Sequence, residues 1–186
     1  RLVGSEMCIR DRTEFDEDII LLMQRRCYDI AMVCNNNVFN NTGLKKVSVT
    51  MNNEKVDSYN FKRYIDLYLN PDQIANIDTN FIEKKGKRKN DPNEPVALWQ
   101  VGVTNTVDDR FDAVSFVNGV CTYKGGKHVD HIKNKLVKEL KERLSKKHKD
   151  IKIQDSYIIN NMFLFINCVI DQPEFSGQMK ETLQSN

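Results

Sequence analysis

With 186 residues and 40% hydrophobic content, the chain can hold one medium domain or parts of two, and no apolar stretch is long enough to span a bilayer. A net charge of +2 excludes attraction to polyanions through an overall field and leaves that task to local basic clusters. The five cysteines, Cys8, Cys27, Cys34, Cys121 and Cys168, form no Cys-x-x-Cys pair, which argues against a zinc site and for reduced thiols.

The first segment stands apart. Residues 1–12 have neither a signal-peptide pattern nor a helical apolar face. LVGSEMCIRDR, from Leu2 to Arg12, is similar to a leader that recurs in front of unrelated assembled transcripts. It is set aside as non-native, and the chain is expected to be a piece of a longer protein.

From Asp16 the organisation is legible. Asp16, Glu17 and Asp18 place negative charge where a helix macrodipole favours it, and Ile19, Ile20, Met23, Cys27, Ile30 and Ala31 recur at helical spacing. Residues 46–51 alternate as a strand with Val47, Val49 and Met51 on one side, and Asn52-Asn53 fits a hairpin-like turn. Phe61, Tyr64, Ile65, Tyr68 and Leu69 mark a short amphipathic helix that stops at Asn70-Pro71. Residues 74–81 carry little pattern. The tract EKKGKRKNDPNEP, 83–95, reads as a long exposed loop. Its basic half, Lys84 to Lys89, reads first as a solvated charge run; contact with nucleic acid or a nuclear address is the alternative.

The second half reads strand, strand, helix, strand. Ala97, Trp99, Val101 and Val103 share one face of the first strand, and residues 111–117 form the next after an Asp108-Asp109 turn. A helix from about His128 to Lys147 carries the stripe Val129, Ile132, Leu136, Leu140 and Leu144. Residues 162–170 are apolar apart from Asn167, the pattern of a strand buried on both faces. A strand, helix, strand run of this length predicts a parallel pair covered by the helix.

Several sites in this half are candidates for chemistry. After the buried run, Asp171-Gln172-Pro173 breaks the strand and a polar loop carries Gly177, Gln178 and Lys180. On spacing alone this is an ordinary surface loop, or else two donors held where an anion arrives. Gly125-Gly126 ahead of a helix suits a tight connection better than a phosphate cradle. His128 and His131 have one-turn spacing, but two ligands without a third place no metal. Residues 145–152, SKKHKDIK, concentrate cations at a helix C-terminus, where dipole pairing accounts for them and phosphate contact is the sharper alternative.

In this order the motifs resemble a known family. Phe116-Val117-Asn118, Lys124-Gly125-Gly126-Lys127-His128-Val129-Asp130, and Phe165-Ile166-Asn167-Cys168 leading to Gln178-Met179-Lys180 are similar to the ATPase region of eukaryotic-type type II DNA topoisomerases. Helix 18–31, with Arg25-Arg26 and Tyr28-Asp29-Ile30-Ala31, resembles the last helix of that family's GHKL nucleotide-binding domain. The segment from Phe61 to Leu69 resembles the stretch that ends it. The resemblance covers nearly everything after Thr13.

It implies an α/β fold, an α+β two-layer sandwich of ribosomal-protein type with a left-handed βαβ crossover, against the usual rule. By this reading residues 1–12 are the leader, 13–72 the remnant of the GHKL domain and 73–186 an incomplete transducer domain. Gln178, Met179 and Lys180 fall on the family's Gln-Thr-Lys loop, which reaches the ATP γ-phosphate; Met179 stands where the family has Thr. Lys146, Lys147 and Lys149 match its lysine-rich DNA-facing loop. The implied cofactors are ATP and Mg2+, bound mainly by parts outside this chain, and the implied partners are double-stranded DNA and, in the complete protein, a second subunit of a homodimer. No membrane is implied, the implied location is the nucleus, or the cytoplasm for a viral protein or an organism without a matching nuclear signal, and the segment by itself is expected to be inactive. Two alternatives remain: another GHKL ATPase of mismatch-repair or chaperone type, or a non-enzymatic nucleic-acid-binding module.

Overall fold

A computed structural model describes residues 14–35, 47–56, 60–84, 96–148 and 152–185, with the side chains of 78–84 and 96–98 excepted. Helix α1 (Glu17–Asn35) starts on the Asp16 carbonyl, which accepts from the amides of Ile19 and Ile20 at 3.0 and 3.2 Å. Its apolar periodicity located only part of the inward face: Ala31 is buried, and Ile19 and Cys27 are half-buried. Ile20, Met23 and Ile30 stay half exposed, while Asp29, Ala31, Met32 and Asn35 are buried. The reason is polar. Asp29 accepts from the Tyr64 hydroxyl at 2.7 Å and from Arg26 at 3.3 Å, so the helix turns that side inward.

The strand expected over 46–51 shrinks to β1 (Thr50–Met51), which pairs antiparallel with β2 (Glu54–Lys55). Instead of joining a ladder, Val47 donates its N–H to Asn35 Oδ1 and accepts at its carbonyl from Asn35 Nδ2, both at 2.8 Å. The turn at Asn52 and Asn53 is as expected, with φ of 51° and 67°, the left-handed pair a tight hairpin needs. Helix α2 (Phe61–Asp66) is capped by Asn60, whose Oδ1 accepts from the Arg63 amide at 2.8 Å, and it buries Phe61, Tyr64 and Ile65.

Five strands make the main sheet: β3 (Asn76–Lys84), β4 (Val96–Asn105), β5 (Asp112–Val117), β6 (Val120–Cys121) and β7 (Met162–Val169), in the order β3-β4-β7-β5-β6. β3 occupies a stretch whose sequence showed no strand pattern. Its register slips between Asp78 and Phe81, so the two-residue alternation that would announce a strand is broken. β6 also went unanticipated, although Asn118 and Gly119, at φ 49° and 82°, form a hairpin turn of the Asn-Gly kind. The parallel pair was expected and is present: β5 runs parallel to β7, from Asp112 opposite Phe163 to Val117 opposite Cys168. Helix α3 (Lys127–Lys147) crosses between them, and the short helix α4 (Asp155–Asn160), which the sequence did not signal, precedes β7.

β7 sits at the centre of the sheet and is buried on both faces, as its composition required. Leu164, Ile166 and Cys168 join Trp99, Val129, Ile132 and Val137 in a core beneath α3. Phe165 joins Met32, Phe61, Tyr64, Ile65, Val114 and Phe116 in a second core on the opposite face. The sandwich of sheet and α3 thus has its second face covered by α2 and the end of α1. Gly102 lies under that contact: a Cβ there would stand 2.5 Å from Ile65 Cδ1 and would make the Ile65 side chain shift. Asn167, the polar interruption in the run, is buried and donates to Gln100 Oε1 at 2.9 Å. Burial among these side chains pushes the Cys168 thiol up to about 12.

Candidate functional site

The tract after β7 is a hairpin rather than a free loop. Asn118 holds its start: its Nδ2 donates to the Ile170 carbonyl at 2.9 Å and its Oδ1 accepts from the Ile170 amide at 2.8 Å. One side chain therefore adds a rung after the β5–β7 ladder has ended. Gln172, at φ 46°, then turns the chain. Phe175 bridges antiparallel to Leu183, Ser176 N donates to Thr182 O at 3.0 Å, and Gln184 N donates to Glu174 O at 2.7 Å. The tip is 177–180, closed by Lys180 N donating to Gly177 O at 3.0 Å, with Lys180 at φ 55°.

The returning arm of the hairpin lies along the start of α3. Lys124 N donates to Glu181 O, Leu183 N to Gly125 O, and Lys127 N to Leu183 O, each at 3.1 Å. Leu183 is 2% exposed and enters the core beneath α3. This explains the Gly125-Gly126 pair. A Cβ on Gly126 would sit 2.4 Å from the Leu183 carbonyl oxygen, and φ 134° with ψ −169° is open only to glycine. The pair is a tight connection for a crossing strand, as spacing favoured.

Gln178, Met179 and Lys180 are brought together on the tip, all exposed, with Met179 at 77%. Lys180 Nζ rests 5.6 Å from the centre of the Phe175 ring. Sequence reasoning missed the residues that fasten this tip. The Glu181 carboxylate accepts from the Tyr123 hydroxyl and pairs with Lys124 Nζ at 2.5 Å. Lys124, and then Tyr123, holds the Glu181 carboxyl below the usual carboxylate range. No local signal could have announced contacts between residues so far apart in the chain. Asn118 could have been found, because an Asn-Gly turn between apolar runs is a hairpin signature.

The second set of candidates lies elsewhere. Lys146 and Lys147 are exposed in the last turn of α3, and Lys149 lies outside the described residues. A 21-residue helix separates them from the hairpin's anchor by about 30 Å. Structure therefore does not unite the two groups in one site; it joins them by a helix. His128 and His131 do not converge either. His128 is buried with Nε2 3.1 Å from Thr122 Oγ1, whereas the exposed His131 ring lies over Trp99. Ser115 Oγ, 2.6 Å from Thr122 Oγ1, extends the buried chain. His128 Nδ1 has no partner among the described residues, and burial pulls its pKa down to about 4. No group of three His, Cys, Asp or Glu gathers among the described residues, and none of the described helices is long and apolar enough to cross a membrane. The basic segment 85–89 lies outside the described residues.

The family description DNA gyrase B matches residues 60–186, the part that begins at α2 and holds the whole five-stranded sheet. The chain belongs to the DNA gyrase B family. Within it the similarity runs to eukaryotic type II topoisomerases. The chain is 38% identical over 170 residues to DNA topoisomerase 2 of Drosophila melanogaster, covering 90% of this chain and 10% of that protein. It superposes on the ATPase region of Saccharomyces cerevisiae topoisomerase II with a TM-score of 0.67 and 31% identity, over 95% of this chain and 38% of that one. With the ATPase and transducer domains of Balamuthia mandrillaris DNA topoisomerase II the TM-score is 0.66 at 32% identity, over 91% and 36%. The chain thus spans about a tenth of the length of the curated relatives it matches.

Proposed function

We propose that this chain is the coupling segment of an ATP-dependent type II DNA topoisomerase, with residues 13–72 ending the nucleotide-binding domain and 73–186 forming most of the transducer. The observation that carries this is the hairpin tip: Gln178 and Lys180 are exposed donors on a stem whose base is bonded to α3 and to the end of β7. The tip suits a phosphate. A cation over an exposed ring is held by about 0.5–1 kcal/mol, and a charge-assisted bond to phosphate contributes about 1.5–3 kcal/mol. Lys180 therefore leaves Phe175 when a γ-phosphate arrives and returns after hydrolysis.

That difference is the signal. A contact that exists only with the γ-phosphate shifts a two-state equilibrium by roughly ten- to a hundredfold. Met179, exposed between the two donors, leaves both in place. The α3 lysines, Lys146 and Lys147 with Lys149 beyond, would meet the phosphates of a DNA duplex. Mg2+ accompanies the nucleotide and is assigned to no described residue here. The complete protein would act as a homodimer in the nucleus, passing one duplex through another, and this segment alone would not turn over ATP.

The test is Lys180→Ala in a protein that carries this segment within a complete ATPase region. ATP hydrolysis is expected to fall by roughly ten- to a hundredfold. Hydrolysis at the unchanged rate would overturn the sensor reading, and measurable turnover by residues 13–186 alone would overturn the division of labour.

A further inference from the structure

Glu181 follows the tip lysine directly, yet its side chain belongs to another part of the fold. Its carboxylate is held by the Tyr123 hydroxyl and the Lys124 ammonium, and its carbonyl accepts from the Lys124 amide at 3.1 Å. Two consecutive residues of the connection between β6 and α3 thus grip the residue after Lys180 at three points. Among the described residues the tip is held more lightly, by the Lys180 amide on the Gly177 carbonyl and by Lys180 Nζ over Phe175. Gln178 and Met179 are exposed, and a Cβ on Gly177 would meet nothing within 4 Å. Lys180 takes φ 55°, an uncommon conformation for a lysine, at the point where the tip turn ends and the held residue Glu181 begins. The anchored neighbour of Lys180 on the returning arm is thus Glu181, and its three contacts fix the backbone from which the Lys180 side chain leaves.

Charge supports the same assignment. An unpaired carboxylate beside Lys180 would repel an arriving phosphate and draw the lysine onto itself. Lys124 and Tyr123 occupy that carboxylate and leave Lys180 available, with its ammonium over a neutral ring. Lys124 also stands immediately before the Gly125-Gly126 connection into α3. Whatever displaces the tip pulls on the first turn of that helix.

We propose that Glu181 is the positioning residue of the sensor tip, fixing Lys180 to the start of α3 through Tyr123 and Lys124. The assignment rests on the reading that Lys180 meets the γ-phosphate. A purely structural role predicts a lowered unfolding midpoint and equal losses for every nucleotide, although a partly exposed ion pair such as this contributes little to folding. Positioning predicts a loss confined to ligands that carry a γ-phosphate.

The experiment measures affinity for a non-hydrolysable ATP analogue and for ADP, with urea unfolding alongside, in a protein holding this segment in its complete ATPase region. Glu181→Gln and Lys124→Glu are each expected to weaken the ATP analogue on the order of fivefold, with ADP affinity and unfolding midpoint unchanged. The charge-swapped pair, Lys124→Glu with Glu181→Lys, is expected to recover most of that loss. Wild-type analogue affinity in Glu181→Gln, alongside a large loss in Lys180→Ala, would overturn the proposal and leave the sensor reading standing. Equal losses for the analogue and ADP, or a lowered unfolding midpoint, would assign Glu181 a structural role and overturn it as well. Lys180→Ala without effect on the analogue would instead strike the sensor reading itself.

Discussion

The two ends of α3 are built on opposite principles. At its start, Val129 and Ile132 are buried, the Gly125-Gly126 connection is crossed by Leu183, and backbone bonds at 3.1 Å fix the arrangement. At its end, Lys146 and Lys147 are exposed, and His148 closes the helix with one bond to Leu144 O at 2.8 Å. The first end is set by geometry, where a displacement of an ångström matters. The second is set by charge, where a lysine can move within its screening length and still work. A sensor needs the first kind of end and a surface that follows a duplex needs the second.

The sharpest way to break this contrast is at Gly126. Gly126→Ala forces a side chain into the Leu183 backbone and out of an allowed conformation. It should cost about 4 kcal/mol in urea unfolding, from strain and the displacement of Leu183. A loss below 1 kcal/mol would mean that the hairpin is not fastened there.

Next comes His128, also at the buried end. Its folded pKa of about 4 lies below its ordinary 6.5, so the unfolded chain binds more protons between those values. Its contribution is complete above pH 6.5 and is lost as pH falls towards 4, a difference on the order of 3 kcal/mol. Comparing urea unfolding of wild type and His128→Gln from pH 4 to 7 isolates it. Parallel curves for the two proteins would deny the burial its electrostatic effect.

The smallest effect on folding belongs to the exposed end. Lys146→Ala with Lys147→Ala should leave stability within about 0.5 kcal/mol. In a DNA-binding form of the protein the same pair should lower the slope of log affinity against log salt by roughly 0.9 for each phosphate contact removed. An unchanged slope would take DNA away from this end of α3.

What the sequence disclosed follows the same division. β7 was legible because burial on both faces leaves a continuous apolar run, and α3 because its stripe persists from Val129 onward. The Asn52-Asn53 turn declared itself through residues that tolerate positive φ. β3 was hidden by its irregular register, and the inward face of α1 was only partly legible because it is organised around Asp29. The tip residues Gln178, Met179 and Lys180 entered through family resemblance, since their spacing alone allowed an ordinary loop. Their hairpin stem stayed silent because its rungs are main-chain bonds, which side-chain identity does not encode. Glu181 was invisible for a third reason: its partners are near only after the fold has closed.

The position of β7 has a consequence for synthesis. It comes last among the described strands, yet it is the one that joins β4 to β5, pairing Leu98 with Val169 and Asp112 with Phe163. Until residue 169 has left the ribosome, the β3–β4 and β5–β6 hairpins are separate pieces, each with a bare edge where β7 will insert. A ribosome that pauses during α3 therefore holds a nascent chain with two open templates for wrong pairing, and chaperone demand should peak in that interval.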